Sequence, residues 1–373
     1  MTFHLVSLPW TEATHKYSVC AYTQKVVKFC KMFSDDIILY AGEDNDAPCR
    51  EHVQLISKEE REGWFGPWDT NTFADKVTWD IKHPAWQIMN SRAAQEIQKR
   101  RQPHDMLLII GGNCQKPIAD AISNIMTVEW GIGYEGIFSK FCAFESYAWM
   151  HHVYGLSNWK NGRYYDQVIP NFFDMDDFQL AHKEDYLLFI GRITQRKGPH
   201  VASQIAQAAG KRLLVAGPGA TSTTVNGYTK IVGDQIVIEG SHIEYVGPVN
   251  PKERSLLMAK AAATIVPTIY LEPFGGVAVE SMLCGTPVIA SDWGAFPETV
   301  HTGISGERFR TLQQGVDAVE LVQRLKAKNI RKWARSRYSL EAVKPMYGKW
   351  FDQLEGLWGP GWNALRSAGI ESA

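Results

Sequence analysis

The sequence predicts an α/β protein built from two doubly wound parallel sheets. Short apolar runs that end in Gly or Pro, such as Met106–Ile110 before Gly111-Gly112 and Ala263–Pro267, read as buried parallel strands followed by turns. These runs alternate with segments of helical period, the pattern of βαβ units. The alternation restarts near residue 185, and a chain of 373 residues suits two domains.

In the first half, Phe3–Pro9 reads as a strand and Ser18–Phe33 as an amphipathic helix. Its Val19, Tyr22, Val26, Phe29 and Phe33 recur every three or four residues, and Lys25, Lys28 and Lys31 read as a solvated face. Strands follow at Ile37–Ala41 and His52–Ile56. Gly63–Trp86, rich in Trp, Asp and Thr, reads as an irregular insertion. Ala85–Arg101 is helical and Pro103 stops it; Met106–Ile110 and Ile125–Trp130 are strands. The loop-like Asn158–Gln167 leads to a boundary near Pro170-Asn171.

In the second half, strands are expected at Tyr186–Arg192, Lys211–Ala216, Ile243–Val246, Ala263–Pro267 and Pro287–Ser291. Helices are expected at Lys197–Ala209, Pro251–Ala262 and Gly275–Leu283. Asn226-Gly227 between β-prone runs suggests an inserted hairpin. Arg324–Arg337 is basic but poor in aromatics, which reads as a solvated helical face, and Ala342–Leu357 is amphipathic and aromatic.

Composition excludes several classes. With 39 Lys+Arg against 40 Asp+Glu, the net charge of −1 does not suit a generic nucleic-acid binder. No apolar run has the length of a membrane span, the N-terminus lacks a signal-peptide pattern, and membrane-surface association is not indicated. The six cysteines form no C-x-x-C pair, which fits reduced thiols. The expectation is a soluble cytoplasmic protein.

The most informative stretch is Leu271-Glu-Pro-Phe-Gly-Gly-Val-Ala-Val-Glu280. An acid follows a strand, a Gly pair opens a helix, and a second acid lies inside that helix. A helix N-terminus offers unpaired N–H groups and partial positive charge, so it suits a phosphate. Glu280 could accept from a ribose diol and Glu272 from sugar hydroxyls. Arg192 ends another strand and Lys197 opens another helix. In doubly wound sheets both would reach the same crevice, giving a diphosphate site whose cations are side chains.

These motifs resemble the retaining GT-B glycosyltransferases of family 4. The matching signatures are Val168-Ile-Pro-Asn171, Phe189-Ile-Gly-Arg192 with Arg196-Lys-Gly198, Gly217-Pro-Gly219, Tyr245-Val-Gly-Pro-Val249, the Glu272 and Glu280 pair, and Gly285-Thr-Pro-Val288 followed by Pro297-Glu298. They run in order over roughly residues 168–350; the first half matches only in its α/β rhythm.

The resemblance implies the GT-B fold: two Rossmann-like doubly wound domains facing a central cleft. An acceptor-side domain at 1–170 and a donor domain at 171–350 follow, with a last helix at about 351–373 packing back on the first. It implies transfer of a hexosyl-type sugar from a UDP- or GDP-sugar to an acceptor hydroxyl, with retention and without a metal. The acceptor is a glycan, a lipid or a small molecule. By the resemblance Arg192 and Lys197 hold the donor diphosphate, Glu272 faces the sugar and Glu280 the ribose. Phe274, Gly275, Gly276 and Val277 contact sugar and phosphates, and Val249 lies near the base.

The first half departs from the family. The loop after its first strand, Pro9-Trp-Thr-Glu-Ala-Thr-His15, has no glycine. Where the family often has a His at the end of a central strand, this chain has Glu129. His151 and His152 are the other candidates for that contact. Two patterns are decoys. Gly131-Ile-Gly-Tyr-Glu-Gly136 comes late in its domain with no acid about 20 residues on. Asp174-Met-Asp176, a metal-binding look-alike, reads as a linker or helix start. A nucleotide-sugar epimerase or isomerase, or a non-catalytic sugar-binding module, are the alternatives.

Overall fold

The computed structural model describes residues 1–10, 21–43, 45–67 and 77–358. The first half holds β1 (Phe3–Val6), α1 (Ala21–Phe33), β2 (Ile37–Gly42), β3 (Glu51–Ile56), α2 (Lys58–Phe65), α3 (Pro84–Arg100), β4 (Met106–Ile109), α4 (Lys116–Ala121), β5 (Met126–Ile132), β6 (Phe141–Phe144), α5 (Tyr147–Leu156) and β7 (Gln167–Val168). These strands form one parallel sheet in the order β3-β2-β1-β4-β5-β6-β7. Every residue of β1, β4 and β6 is buried, as in a sheet covered on both faces.

The second half begins with β8 (Tyr186–Ile190), α6 (Pro199–Ala208) and β9 (Arg212–Ala216), then β10 (Ala220–Val225), β11 (Tyr228–Gly233), β12 (Ile236–Gly240) and β13 (Ile243–Gly247). It continues through α7 (Pro251–Lys260), β14 (Ala263–Val266), α8 (Gly276–Leu283), β15 (Val288–Ser291), α9 (Phe296–Thr299), β16 (Gly306–Phe309), α10 (Leu312–Leu321), α11 (Ala327–Tyr338) and α12 (Leu340–Glu355). A second parallel sheet runs β13-β9-β8-β14-β15-β16. Between β9 and β13 the chain inserts the antiparallel sheet β10-β11-β12, whose first hairpin turns at Asn226-Gly227.

The last helix ties the halves together. Ser339 caps α12 by accepting from the Ala342 N–H, and Val343, Tyr347, Trp350, Phe351 and Leu354 are buried in the core of the first half. Phe351 lies 4.6 Å from Phe3 and Tyr347 5.3 Å from Phe29, between ring centroids.

Four sequence expectations need correction. Gly63–Trp86 is not wholly irregular, because α2 reaches Phe65 and α3 starts at Pro84. The Ser57 and Glu60 side chains form a capping box that starts α2. Lys197 does not open a helix; it ends a short 3₁₀ turn, Gln195–Lys197, and α6 begins at Pro199. Lys25 and Lys28 do not face solvent: they are 4% and 3% exposed, turned toward residues from elsewhere in the chain. Finally, the terminal helix begins at Leu340, well before 351, and residues 359–373 lie outside the described ones, as do Ser18 to Cys20 and the 11–15 part of the first loop.

Candidate functional site

Two loops at the carboxyl ends of β8 and β14 build the centre of the site. The Ile269 N–H donates to the Arg196 carbonyl at 2.8 Å, which fastens one loop to the other. Lys197 Nζ donates to Glu272 Oε2 at 2.9 Å and to the Tyr270 hydroxyl at 2.7 Å. The Arg196 guanidinium lies 4.7 Å over the Tyr270 ring, and Arg192 is exposed nearby, its charge felt by the same phenol. Burial raises the pKa of the Tyr270 phenol, and the Glu272 carboxylate reinforces the shift. Tyr270 is a site residue that motif reasoning missed; its only signal was an aromatic ring two positions before the acid.

The same loop runs into the N-terminus of α8. Gly275 caps that helix at φ +80 without any side-chain hydrogen bond. A Cβ there would lie 2.5 Å from the Phe296 ring, so both backbone angle and space demand glycine. Gly276 and Val277 follow, half-buried. This is a helix start with leading N–H groups and partial positive charge, four residues after Glu272 in the chain.

Two other expected contacts turn inward. The Phe274 side chain is in the core, stacked on Phe173 at 6.3 Å and edge-on to Tyr338, so only its backbone can serve the site. Val249 packs, partly buried, on the cluster around Tyr186 and Met258. Glu280 is buried and forms an ion pair with Arg254 of α7, a residue that the sequence did not flag. Burial pulls the Arg254 guanidinium down to about 10. The Glu280 carboxylate is therefore held by a buried cation.

The first half faces this centre with the segment after β6. Ser146 Oγ donates to the Pro273 carbonyl at 2.6 Å, directly beside Glu272. The Tyr147 and Ala148 N–H groups, at the start of α5, each donate at 2.8 Å to the Glu298 carboxylate from the second half. Glu145 is buried in an ion pair with Lys25 of α1, and Lys25 Nζ also donates to the Gly131 carbonyl at 3.1 Å. A Cβ on Gly133 would lie 2.5 Å from Glu145 Oε2 and 3.3 Å from the Pro273 side chain, which shows how closely the halves meet here. Burial raises the Glu145 pKa, Lys25 opposes it, and the charge on Glu272 adds a small upward push. Glu145, with its partner Lys25, is thus a first-half charge close enough to feel Glu272, and no motif announced the pair.

The expected first-half contacts are placed otherwise. Glu129 is 0% exposed and accepts from the Phe138 and Ser139 N–H groups at 2.6 Å and from the Tyr134 hydroxyl at 3.0 Å. It organises the loop 134–139 and does not face the cleft. His152 meets Glu135 at 3.1 Å and lies over Trp149. His151 is exposed on α5 and lines an outer groove. Asp174 caps its own turn by accepting from the Asp176 N–H and pairs with Lys31 at 2.6 Å. Among the described residues, no three His, Cys, Asp or Glu side chains cluster as a metal site would require.

Known proteins resemble the chain in two ways. Residues 171–329 match the family model of the glycosyl transferases group 1. A D-inositol 3-phosphate glycosyltransferase of Mycobacterium avium (strain 104) is 33% identical over 129 residues, which is 34% of this chain and 30% of that protein. The match thus spans under a third of the curated relative's length. Solved structures are similar over nearly the whole chain. AviGT4, a glycosyltransferase involved in avilamycin A biosynthesis, superposes with a TM-score of 0.66 at 18% identity, covering 95% of this chain and 98% of its own. HepE from Anabaena in complex with UDP-glucose gives 0.61 at 14% identity, covering 95% and 100%. The fold is GT-B.

Proposed function

We propose that this chain, GT-B in fold and belonging over residues 171–329 to the glycosyl transferases group 1, moves a hexosyl-type sugar from a nucleotide diphospho-sugar to an acceptor hydroxyl with retention. The observation that carries the reading is the contact of Lys197 with Glu272 at the mouth of α8. A cation for phosphate and a carboxylate for sugar hydroxyls meet at one point, beside a helix start that favours an anion. That HepE is solved with UDP-glucose supports a UDP-hexose donor among the choices.

The residues then divide as follows. Arg192, Lys197 and the α8 N-terminus neutralise the diphosphate as it departs, so no metal is needed for that role. Tyr270 and Arg196 hold Lys197 in place. Glu272 orients the sugar hydroxyls, and Glu280 with Arg254 orients the ribose. The acceptor approaches from the first half. In the transfer, the anomeric C–O bond to the diphosphate breaks through an oxocarbenium-like state while the acceptor oxygen bonds to the same face. The acceptor proton passes to the departing diphosphate oxygen. Glu272 pairs with Lys197 in the free protein and is assigned to orienting hydroxyls, so the same-face route is the one we favour over a covalent intermediate.

Incubation with UDP-glucose and with GDP-mannose, followed by proton NMR of the anomeric signals, tests the reading. Consumption of one donor, with the first sugar product in the donor's own anomeric configuration, is expected. A first product of inverted configuration would refute retention, and no consumption with any acceptor or with water would refute transfer.

A further inference from the structure

A groove of about 480 Å³ lies on the outer edge of the first sheet, between α5 and the segment 159–168. It takes no part in the donor site. Tyr147, His151 and Tyr154 fall at i, i+4 and i+7 of α5, and all three line it. Trp159 closes the far end, edge-on to Tyr154 at 5.5 Å. Two of these rings are well exposed for aromatic side chains: Tyr147 at 58% and Trp159 at 39%.

Fixed polar groups accompany the rings. Asp166, buried at the groove, accepts from the Tyr154 hydroxyl at 2.9 Å and from the Cys142 N–H at 3.2 Å, and pairs with Arg163 at 3.4 Å. The Arg163 guanidinium also lies 4.8 Å over the Trp159 ring. Tyr154 is therefore held by a hydrogen bond and Trp159 by the Arg163 cation, while Tyr147 and His151 lie ring to ring at 6.2 Å. An array of aromatic faces with planar polar side chains at its rim suits a pyranose, whose C–H face stacks on a ring while its hydroxyls find donors and acceptors.

The groove also points at the transfer site. Its first ring belongs to Tyr147, whose N–H binds Glu298 of the second half, and the preceding residue, Ser146, binds Pro273 beside Glu272. From Tyr147 to Gly155 the helix rises ~12 Å, room for a short oligosaccharide. We propose that this groove is a carbohydrate-binding subsite that holds the outer sugars of a glycan acceptor while its reactive end reaches the cleft. The proposal rests on the glycosyl-transfer reading for its acceptor role, but the binding itself does not depend on turnover.

Saturation-transfer NMR with maltotriose, cellotriose and chitotriose, on the full chain without donor, tests it. At least one trisaccharide should bind in the millimolar range or tighter. The double variant Tyr147→Ala/Trp159→Ala should weaken that binding at least about tenfold, and Trp159→Phe should retain most of it. Gly155→Leu provides a second, independent block: a Cβ there meets nothing within 4 Å, so the side chain grows into the groove without disturbing the helix. Binding of whichever of UDP or GDP the wild type takes should be unchanged in all variants, which also shows that they are folded. Binding of no trisaccharide, or binding that survives both the double variant and Gly155→Leu, would overturn the proposal. Trisaccharide binding by a protein that transfers no sugar would instead retain the groove and remove the transfer reading.

Discussion

Lys197 and Glu272 lie 75 residues apart in sequence and 2.9 Å apart in space. Each follows the carboxyl end of a parallel strand, β8 or β14, and those strands are direct neighbours in the second sheet. The pair is about four-fifths buried, and the Tyr270 hydroxyl shares the ammonium. In the proposed function, a diphosphate arriving at α8 would take up part of the Lys197 charge and leave Glu272 facing the sugar.

Glu272→Gln should lower kcat at least about tenfold, or ~1.4 kcal/mol in barrier, with donor KM changed less than threefold. The carboxylate acts most as charge develops on the sugar ring, so its loss is felt in turnover. Steady-state kinetics at saturating donor read this directly. A kcat within about twofold of wild type would remove the sugar from beside Glu272.

The ion pair of Glu280 with Arg254 makes a stability prediction. Glu280→Gln removes the ion-pair partner of the buried Arg254 guanidinium and leaves it to the weaker influence of Asp177, which should cost about 3–5 kcal/mol. Glu280→Gln/Arg254→Met should recover most of that loss, while both variants lose donor affinity. Urea midpoints measure the first effect and nucleotide titration the second. Equal stability of Glu280→Gln and wild type would mean that the pair is not closed in solution.

Lys28 gives a pH dependence with a definite sign. Burial lowers its pKa from 10.5 to about 8, despite the nearby Asp177. Between those values the unfolded chain binds more protons than the folded one, so folding stability should rise as pH increases from about 8 toward 10. The Lys28 share approaches ~3 kcal/mol over the full window. Lys183, lowered to about 8 by burial, adds in the same direction, so the measurement is the difference between wild type and Lys28→Met. The variant should flatten the rise; identical pH profiles would contradict a buried, charge-penalised Lys28.

Much of the architecture was legible because strands such as Tyr186–Ile190 and Ala263–Val266 are short, apolar and punctuated by Gly or Pro. The donor side was legible for the same reason: strand ends in a doubly wound sheet share one edge, so Arg192, Lys197 and Glu272 could be brought together from the topology alone. What escaped was whatever depends on how side chains pack against other segments of the chain. Lys25 and Lys28 have the spacing of a solvated face, and only the packing of α1 against Glu145 and the 173–177 linker buries them. The strand β6 and helix α5 were hidden in one aromatic run, so Glu145, Ser146 and the role of Glu298 had no local signal. Glu129 occupied an expected position in the sequence, but its carboxylate turns to backbone N–H groups of its own loop.

The contact of Glu298 with the start of α5 should govern how the halves close. Glu298→Ala removes both hydrogen bonds to the Tyr147 and Ala148 N–H groups and a charge at a helix N-terminus, a loss of about 1–2 kcal/mol. Small-angle scattering of the ligand-free protein should show a larger radius of gyration for the variant, with donor KM raised and the fold intact. Superimposable scattering curves would show that closure does not depend on Glu298.

The central claim, a diphosphate site made of side chains and a helix start, is tested most directly by titration calorimetry with UDP and GDP in excess EDTA. Wild type should bind at least one of them without metal. Arg192→Ala and Lys197→Ala should each weaken that binding about tenfold to a hundredfold, the scale of a charge-assisted hydrogen bond of ~1.5–3 kcal/mol. Binding that appears only after Mg²⁺ or Mn²⁺ is restored, or that is unchanged in both variants, would contradict the account.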